Sequence, residues 1–428
     1  MGEFTCGFSD EQESLRADPM IKKKQADAPF GRPRIASQIQ GKLDQIDWEM
    51  ARSKLLGVVC ALLLGGLLVA GLWPFHSPRN GVTWLGGGNG LYFGGHGTIL
   101  SSGKFQAANA PGDAPCSLEI WFEPARTAAS GTLFAFYGPG NPRQFSLHQS
   151  ISDLALQSDL REGGYRTLTT RLYVDDVFHR GKPLFVTVTA KGGQTSVYID
   201  GALARSAPKF PLSSRDFDGE LVIANFPKID NSWSGLLRGL AFYDEEISPA
   251  QVLHHYQTWI EKGRPDVSPN DRAVALYLFD ERAGRVIHDQ GPSGSDLFIP
   301  DRYLVLDQTL LCPFWVAYRP TWSYWDDVLV NIGGFVPFGF LICAYFSLLG
   351  RIKRPALLAI LLGFTVSVAI ESLQSFLPTR KSDTTDVITN TLGTCFGAWL
   401  YGLKLWRVQL ARVWTHVGGT TAKDSGVR

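Results

Sequence analysis

The residues with the most chemistry to offer lie close together near the C-terminal end of the 428-residue chain. They are Asp327 and Asn331, then Glu371 and Gln374, then Arg380 and Asp383, then Asp386 and Asn390. Carboxylates and amides of this kind can accept and donate hydrogen bonds to the hydroxyl groups of a sugar. An arginine can grip a phosphate through two parallel bonds. A carboxylate held in a poorly hydrated place can also act as a general base. Three apolar runs, at residues 328–350, 355–376 and 386–403, must position these groups. Each is long enough, or nearly so, to cross a hydrocarbon core of about 30 Å. Asp327, Asn331 and Gly334 share one helix face at i, i+4 and i+7. Ser367, Glu371, Gln374 and Ser375 form a second stripe, and Asp386, Asn390, Gly393 and Gly397 a third. The Gly393–Gly397 spacing lets two helix backbones approach closely.

A fourth apolar run, residues 55–73, follows Arg52 and Lys54 and closes on Trp73 and Pro74. Its length and its distance from the N-terminus predict a retained membrane helix rather than a cleaved leader. Residues 1–54 are polar and mixed in charge, and are expected to be a disordered cytoplasmic arm whose Lys22–Lys24 run could touch anionic lipid. Basic residues then set the orientation. With the N-terminus inside, Arg351, Lys353 and Arg354 fall in a cytoplasmic turn, and Lys404, Arg407 and Arg412 follow the last helix on the same side. All the polar stripes are thereby brought to one outer level, beside Arg380 and Lys381, and Arg380 is the expected partner of Glu371. Residues 404–428 are read as a cytoplasmic tail, with 404–417 lying along the inner interface.

Between the first span and the others, residues 74–310 contain no run able to cross a membrane. Short alternating segments such as Ser117–Glu123, Leu184–Ala190, Thr195–Asp200 and Leu237–Tyr243 recur between turn residues, the pattern of an antiparallel sandwich. Asp200-Gly201 marks a hairpin, and Ser248-Pro249 opens a helix reaching Trp259. Alternation turns Ile120 and Phe122 to the core and Glu119 and Glu123 outward, as solvated acids. His254 and His255 read as a surface pair. Charged residues make up 19% and the net charge is +1, which gives no basis for nucleic-acid binding. The six cysteines have no metal-type spacing, although Cys116 and Cys312 could pair outside the cytoplasm.

Two family resemblances emerge from these segments. "SLEIWFEP", "LFVTVTAKGGQTSVYIDGALA" and "WSGLLRGLAFYDEEISPAQVLHHYQ" resemble the laminin-G-like, concanavalin-A-like jelly roll over a core at residues 89–262. A further piece at 273–310 looks like opening strands of the same fold, placed to complete the sandwich or to cap its edge. The resemblance implies carbohydrate or protein binding; some relatives are glycosidases, and a calcium ion is the cofactor it leaves open. "DDVLVNIGGFVPFGFLI" and "SVAIESLQSFLPTRKSDTTDVITNTLGTCFG" resemble the VanZ-like membrane proteins, whose ordered polar pattern falls on Asp327, Asn331, Pro337, Phe338, Gly339, Glu371, Gln374, Arg380, Asp383, Asp386, Asn390 and Gly393. That family is named for low-level resistance to the glycopeptide teicoplanin. The expected whole is an α-helical membrane bundle of four spans, with its VanZ-like unit at 326–403, carrying an extracytoplasmic all-β jelly-roll sandwich in a bacterial plasma membrane. The sandwich would be an insertion after the first span.

Three functions fit these residues. The first is binding of a lipid-linked or surface glycan at an outward polar pocket, in contact with membrane lipids. The second is a structural subunit whose sandwich docks protein partners. The third is transfer or hydrolysis at the outer leaflet with Glu371 or Asp386 as base, for which no Ser-His-Asp, Cys-His or metal-ligand set is present. No catalytic residue and no metal site is assigned.

Overall fold

The computed structural model describes residues 33–105, 114–139, 141, 143–162, 166–178, 182–210, 212–265, 272–318 and 320–403. The inner-interface reading of residues 404–417 and the Lys22–Lys24 run lie outside these residues. Helix α1 (Pro33–Leu72) opens the described chain. Residues 33–54, expected as part of a disordered arm, are therefore helical. Pro33 suits the first helical position, and the following stretch is rich in Gln, Lys, Glu, Met and Ala, which lose little side-chain freedom in a helix. Residues to Leu55 form one compact unit, and residues from Leu56 onward form another.

The second unit holds a β-sandwich. Its strands are β1 (Val82–Trp84), β2 (Leu91–Phe93), β3 (Ile99–Ser101), β4 (Cys116–Pro124), β5 (Ala129–Tyr137), β6 (Arg143–Ile151), β7 (Asp153–Glu162), β8 (Arg166–Val174), β9 (Leu184–Lys191), β10 (Gln194–Ile199), β11 (Ala202–Ala207), β12 (Glu220–Ile223), β13 (Gly235–Tyr243), β14 (Ala273–Tyr277), β15 (Val286–Ile287) and β16 (Leu297–Phe298). One sheet runs β1-β2-β13-β4-β9-β10-β11 with β14 also on β13, and the other runs β15-β16-β3-β12-β5-β6-β7-β8. The late segment completes both sheets: β14 extends the edge of β13 beyond β2, while β15 and β16 extend the second sheet past β3. Inward-facing Leu118, Ile120 and Phe122 meet Phe134, Phe136, Phe145, Phe217 and Phe242 in a continuous core. Asp200 and Gly201, at φ 52° and 80°, make the tight turn between β10 and β11.

Helix α2 (Pro249–Lys262) packs on the outer face of the first sheet. Ser248 caps its N-terminus and Gly263 ends it at φ 70°. This helix overturns the expectation for Glu119. The carboxylate is fully buried, taking bonds from Tyr243 Oη (2.7 Å) and from Trp259 Nε1 (3.4 Å), with His255 Nδ1 at 3.1 Å. His255 is likewise buried rather than at the surface. Alternation correctly turned Glu119 away from the inter-sheet core. It could not show that a helix distant in sequence covers that face.

After the sandwich come the short helix α3 (Phe314–Ala317) and the long helices α4 (Trp322–Leu348), α5 (Pro355–Gln374) and α6 (Thr384–Gly402). Among the described residues, three helical stretches are long and apolar enough to cross a membrane: Trp48–Leu72, Trp322–Leu348 and Pro355–Gln374. The fourth expected span, α6, is diluted by Thr, Asp and Asn and falls outside this set, and it packs closely along α4 and α5. Glycines make that approach feasible. A Cβ at Gly393 would overlap the Ile332 carbonyl, one at Gly397 would stand 2.7 Å from the Phe340 nitrogen, and one at Gly339 would stand 2.7 Å from the Thr394 Cα.

Candidate ligand pocket at one end of the bundle

Four helix ends converge on one cavity of about 570 Å³. The C-terminal part of α1 contributes Leu67, Ala70 and Gly71, and the N-terminal part of α4 contributes Asp327, Asn331 and Gly334. The last turns of α5 contribute Glu371 and Gln374. The loop and first turns of α6 contribute Arg380, Asp383, Asp386 and Asn390. All eight residues with which the sequence analysis opened, Asp327, Asn331, Glu371, Gln374, Arg380, Asp383, Asp386 and Asn390, thus line the same space, whereas Ser367 and Ser375 of the α5 stripe do not.

The wall made by α5 and α6 is buried, with Glu371 1%, Asn390 5% and Gln374 8% exposed. Groups at such depth need partners. The Asn331 amide donates to Asp386 Oδ1 (2.8 Å), tying α4 to α6. Asn390 Nδ2 donates to Ser367 Oγ (2.9 Å), tying α6 to α5. Gln374 Nε2 donates to the Gly71 carbonyl (2.9 Å), tying α5 to α1. Glu371 Oε2 accepts the backbone N–H of Asp383 (2.7 Å), and Asp383 in turn caps α6 by accepting from the Thr385 N–H (2.8 Å). For Gln374 and Asn390 the nitrogen is spent and the oxygen is not. Gln374 Oε1 and Asn390 Oδ1 are buried with no partner.

Arg380 departs from its expected role. Its Nε and Nη2 donate to the Trp73 carbonyl at 3.0 and 2.7 Å, which fastens the α5–α6 loop to the end of α1 rather than to Glu371. An unsatisfied carbonyl at a helix end is a strong acceptor, and Glu371 sits deeper, within reach of a backbone amide. With the guanidinium so engaged, acceptors dominate the cavity: Asp327, Glu371, Asp383 and Asp386 face it against Arg380 and Lys381.

The segment leaving the sandwich is anchored at both ends. Tyr303 Oη donates to Asp230 Oδ1 (2.6 Å), and Tyr137 Oη donates to Asp307 Oδ2. Immediately afterwards Gln308 Nε2 donates to the Leu377 carbonyl (2.9 Å) and to the Arg380 carbonyl. Cys312 pairs strand-like with Asp383, its N–H donating to the Ser382 carbonyl (2.9 Å) and its carbonyl accepting from the Thr384 N–H (3.0 Å). The sandwich is therefore joined to the loop that forms the cavity rim. Sequence spacing gave no hint of this clasp. Cys312 is thus part of the clasp, Cys116 is buried in β4, and the two are not joined by a disulfide. In the sandwich, burial and then the nearby Arg171 push His148 down to about 4, where it bonds Thr132 and Ser146. Among the described residues, no group of three or more His, Cys, Asp or Glu side chains is placed to hold a metal ion.

Residues 288–406 match the VanZ/LLP1 family, and residues 96–253 match the concanavalin A-like lectin/glucanases superfamily. Protein VanZ of Enterococcus faecium is 35% identical over 77 residues, 18% of this chain and 45% of that protein. The chain thus spans less than half the length of that relative. Among solved structures, the heptameric SAP-like pentraxin of Limulus polyphemus is similar at 15% identity and a TM-score of 0.31, covering 51% of this chain and 94% of that one. A putative carbohydrate binding protein from Bacteroides ovatus is similar at 11% identity and a TM-score of 0.33, over 54% of this chain and 63% of that one. The CBM40 domain of Ruminococcus gnavus IT-sialidase, bound to α2,3-sialyllactose, is similar at 12% identity and a TM-score of 0.29, over 39% and 95%. The chain is a membrane protein that joins a concanavalin A-like sandwich to a C-terminal VanZ-like domain.

Proposed function

We propose that this protein binds the glycan headgroup of a lipid-linked or surface sugar in the polar cavity, on the outer side of a bacterial plasma membrane. The observation that carries this reading is the set of buried, unspent acceptors on one cavity wall, above all Asn390 Oδ1 and Gln374 Oε1. A buried amide oxygen without a donor costs about 1–3 kcal/mol. A ligand rich in hydroxyl donors recovers that cost. Glu371 and Asp386 add charged acceptors beside them. The orientation is supported by Arg351, Lys353 and Arg354, which occupy the turn between α4 and α5, at the opposite end of the bundle from the cavity. The clasp at Gln308 and Cys312 holds the sandwich at the cavity rim, where it can engage glycan or protein.

A structural role is the second reading, favoured by the interhelical bonds of Asn331 and Asn390. The two separate in one measurement. Full-length protein in lipid nanodiscs is titrated with soluble mono- and oligosaccharides by calorimetry, alongside Glu371→Gln and Asn390→Leu. Glycan binding weakened roughly tenfold in each variant, with helix content kept, supports the pocket. Saccharide binding that both variants leave unchanged, or that the wild type lacks, refutes it.

A further inference from the structure

Between the clasp and the first turn of α4 a run of large apolar side chains stands in the open. Trp315 of α3 is 64% exposed, and its neighbours Phe314 and Val316 and the following Tyr318 are each half-exposed. A folded chain does not leave consecutive apolar residues in water unless something covers them. Among the described residues, the three hydrophobic cores include none of the four. Residues 313–325 read PFWVAYRPTWSYW, with six aromatic rings, one arginine and no acid.

Both ends of the run are tied to the same end of the bundle. Cys312, two residues before Phe314, exchanges backbone bonds with Ser382 and Thr384 at the start of α6. The Tyr318 ring packs edge-on against Tyr324 in the first turn of α4, with centroids 5.5 Å apart. A fully extended chain gains about 3.5 Å per residue, so Phe314 stands within about 7 Å of Cys312. Helix α4 has 27 residues and rises about 40 Å, which matches a hydrocarbon core of about 30 Å with an interfacial layer at each end. Its first turn therefore lies among lipid headgroups, and α3 lies beside it. Trp322 at the start of α4, Trp73 after α1 and Phe376 after α5 are exposed at the same end, by 86%, 61% and 80%. Tryptophan and tyrosine concentrate at this depth because their rings are apolar and their N–H or O–H groups need water.

We infer that α3 is an in-plane membrane anchor: Phe314, Trp315 and Val316 sit at the boundary between lipid headgroups and acyl chains, at the end of the bundle that carries the cavity. A lipid surface fits better than a protein partner, because the run is continuous with helix ends on both sides and carries no acid that anionic phosphate would repel. Through the Cys312 bonds to Ser382 and Thr384, α3 also holds the rim loop at headgroup depth. The Arg380–Asp383 edge of the cavity therefore meets the headgroup layer rather than free water, whatever the cavity binds.

The test uses full-length protein with p-benzoylphenylalanine in place of Trp315, irradiated in phosphatidylcholine nanodiscs, with adducts mapped by mass spectrometry. The control carries the same group in place of Ile260, an exposed residue of α2. That helix covers the first sheet, whereas the chain leading to α3 is bonded to Tyr137 of the second, so the sandwich separates the two positions. The expected result is lipid adducts at position 315 roughly tenfold above position 260, formed near the glycerol end of the acyl chain. Equal lipid labelling at both positions, adducts confined to the chain ends, or cross-links to a second copy of this protein in place of lipid overturn the anchor. The variant Trp315→Glu reads the link to the rim. Trp315 belongs to none of the cores, so the variant keeps its fold. The Thr384 amide, whose partner is the Cys312 carbonyl, should exchange roughly tenfold faster in nanodiscs. Unchanged protection of that amide means that α3 does not set the rim, and overturns that part of the assignment.

Discussion

Replacing Gly393 by alanine tests how closely the pocket depends on helix packing. The new methyl would stand 3.0 Å from the Ile332 carbonyl carbon and nearer still to its oxygen, whereas ordinary contact begins at 3.4 Å. Because both atoms belong to rigid helix backbone, α6 and α4 must part by about 1 Å to remove the overlap. Ile332 adjoins Asn331, and Gly393 lies two turns from Asp386, so the same separation acts on the Asn331–Asp386 bond. Stretching that bond from 2.8 Å to nearly 4 Å ends it. Overpacking costs about 1–3 kcal/mol, and the lost interhelical bond adds about 0.6 kcal/mol. The matched control is Gly334→Ala on α4, where the methyl meets nothing and helix propensity favours alanine by about 1 kcal/mol. Unfolding in nanodiscs, followed by tryptophan fluorescence against denaturant, should therefore shift in opposite directions for the two variants. Glycan affinity should fall only in Gly393→Ala. Equal behaviour of the pair would refute the view that the α4–α6 contact sets the pocket geometry.

Three further outcomes follow from particular contacts. His148 is held neutral, its folded value near 4 lying below the unfolded value of about 6.5, so the unfolded chain binds the extra proton first. The stability this confers is complete above pH 6.5 and is lost as pH falls toward 4, a loss of up to about 3 kcal/mol; denaturant melts at pH 7 and pH 4.5 should show it, and His148→Gln should flatten the difference. Trp259 is fully buried between α2 and the first sheet, so Trp259→Ala should cost about 3–5 kcal/mol in the same melts, and a loss below 1 kcal/mol would mean that α2 is not held by that indole. Gln308→Ala removes both bonds from the sandwich side of the clasp to the rim loop. At about 1 kcal/mol per bond, hydrogen exchange of the amides from Leu377 to Asp383 should accelerate roughly tenfold or more, and unchanged protection there would show that the rim loop is fixed without the clasp.

The site was more legible in the sequence than its surroundings were. Polar residues spaced by three and four inside apolar runs can share a helix face, and the cost of placing them in hydrocarbon sends those faces toward one another. That reasoning is sufficient to bring Asp327, Asn331, Glu371, Asp386 and Asn390 to one cavity. It fails for Arg380, because a flexible cation chooses among all acceptors within reach, and the Trp73 carbonyl comes from a helix more than 300 residues earlier, a distance no local pattern encodes. Glu119 failed for the same reason: strand alternation fixed the direction of its side chain, and α2 decided what lay there. The sandwich strands were visible through period-two patterning, whereas the β14–β16 pairings join segments whose register depends on the whole fold.

Whether the buried polar groups serve only to hold the helices together is decided by how their hydrogen-bonding capacity is used. Helix glue needs each group satisfied by another helix. Here the amide donors meet that condition: Asn331 reaches Asp386, Asn390 reaches Ser367, and Gln374 reaches Gly71, whereas the buried hydroxyls of Thr379 and Thr385 have no partner. The acceptors do not. Gln374 Oε1 and Asn390 Oδ1 are left over in a buried wall, next to the carboxylates of Glu371 and Asp386. Serine or threonine at these two positions would give a similar interhelical bond with less unmet capacity, and apolar residues would pack at no polar cost. An arrangement that spends these amide nitrogens on the scaffold and leaves the oxygens of Gln374 and Asn390 unmet, on residues that line one cavity, is expected of a receptor for donors. The same asymmetry explains why Arg380 is tied back to Trp73: a guanidinium free to swing inward would satisfy those oxygens itself and close the site to hydroxyls.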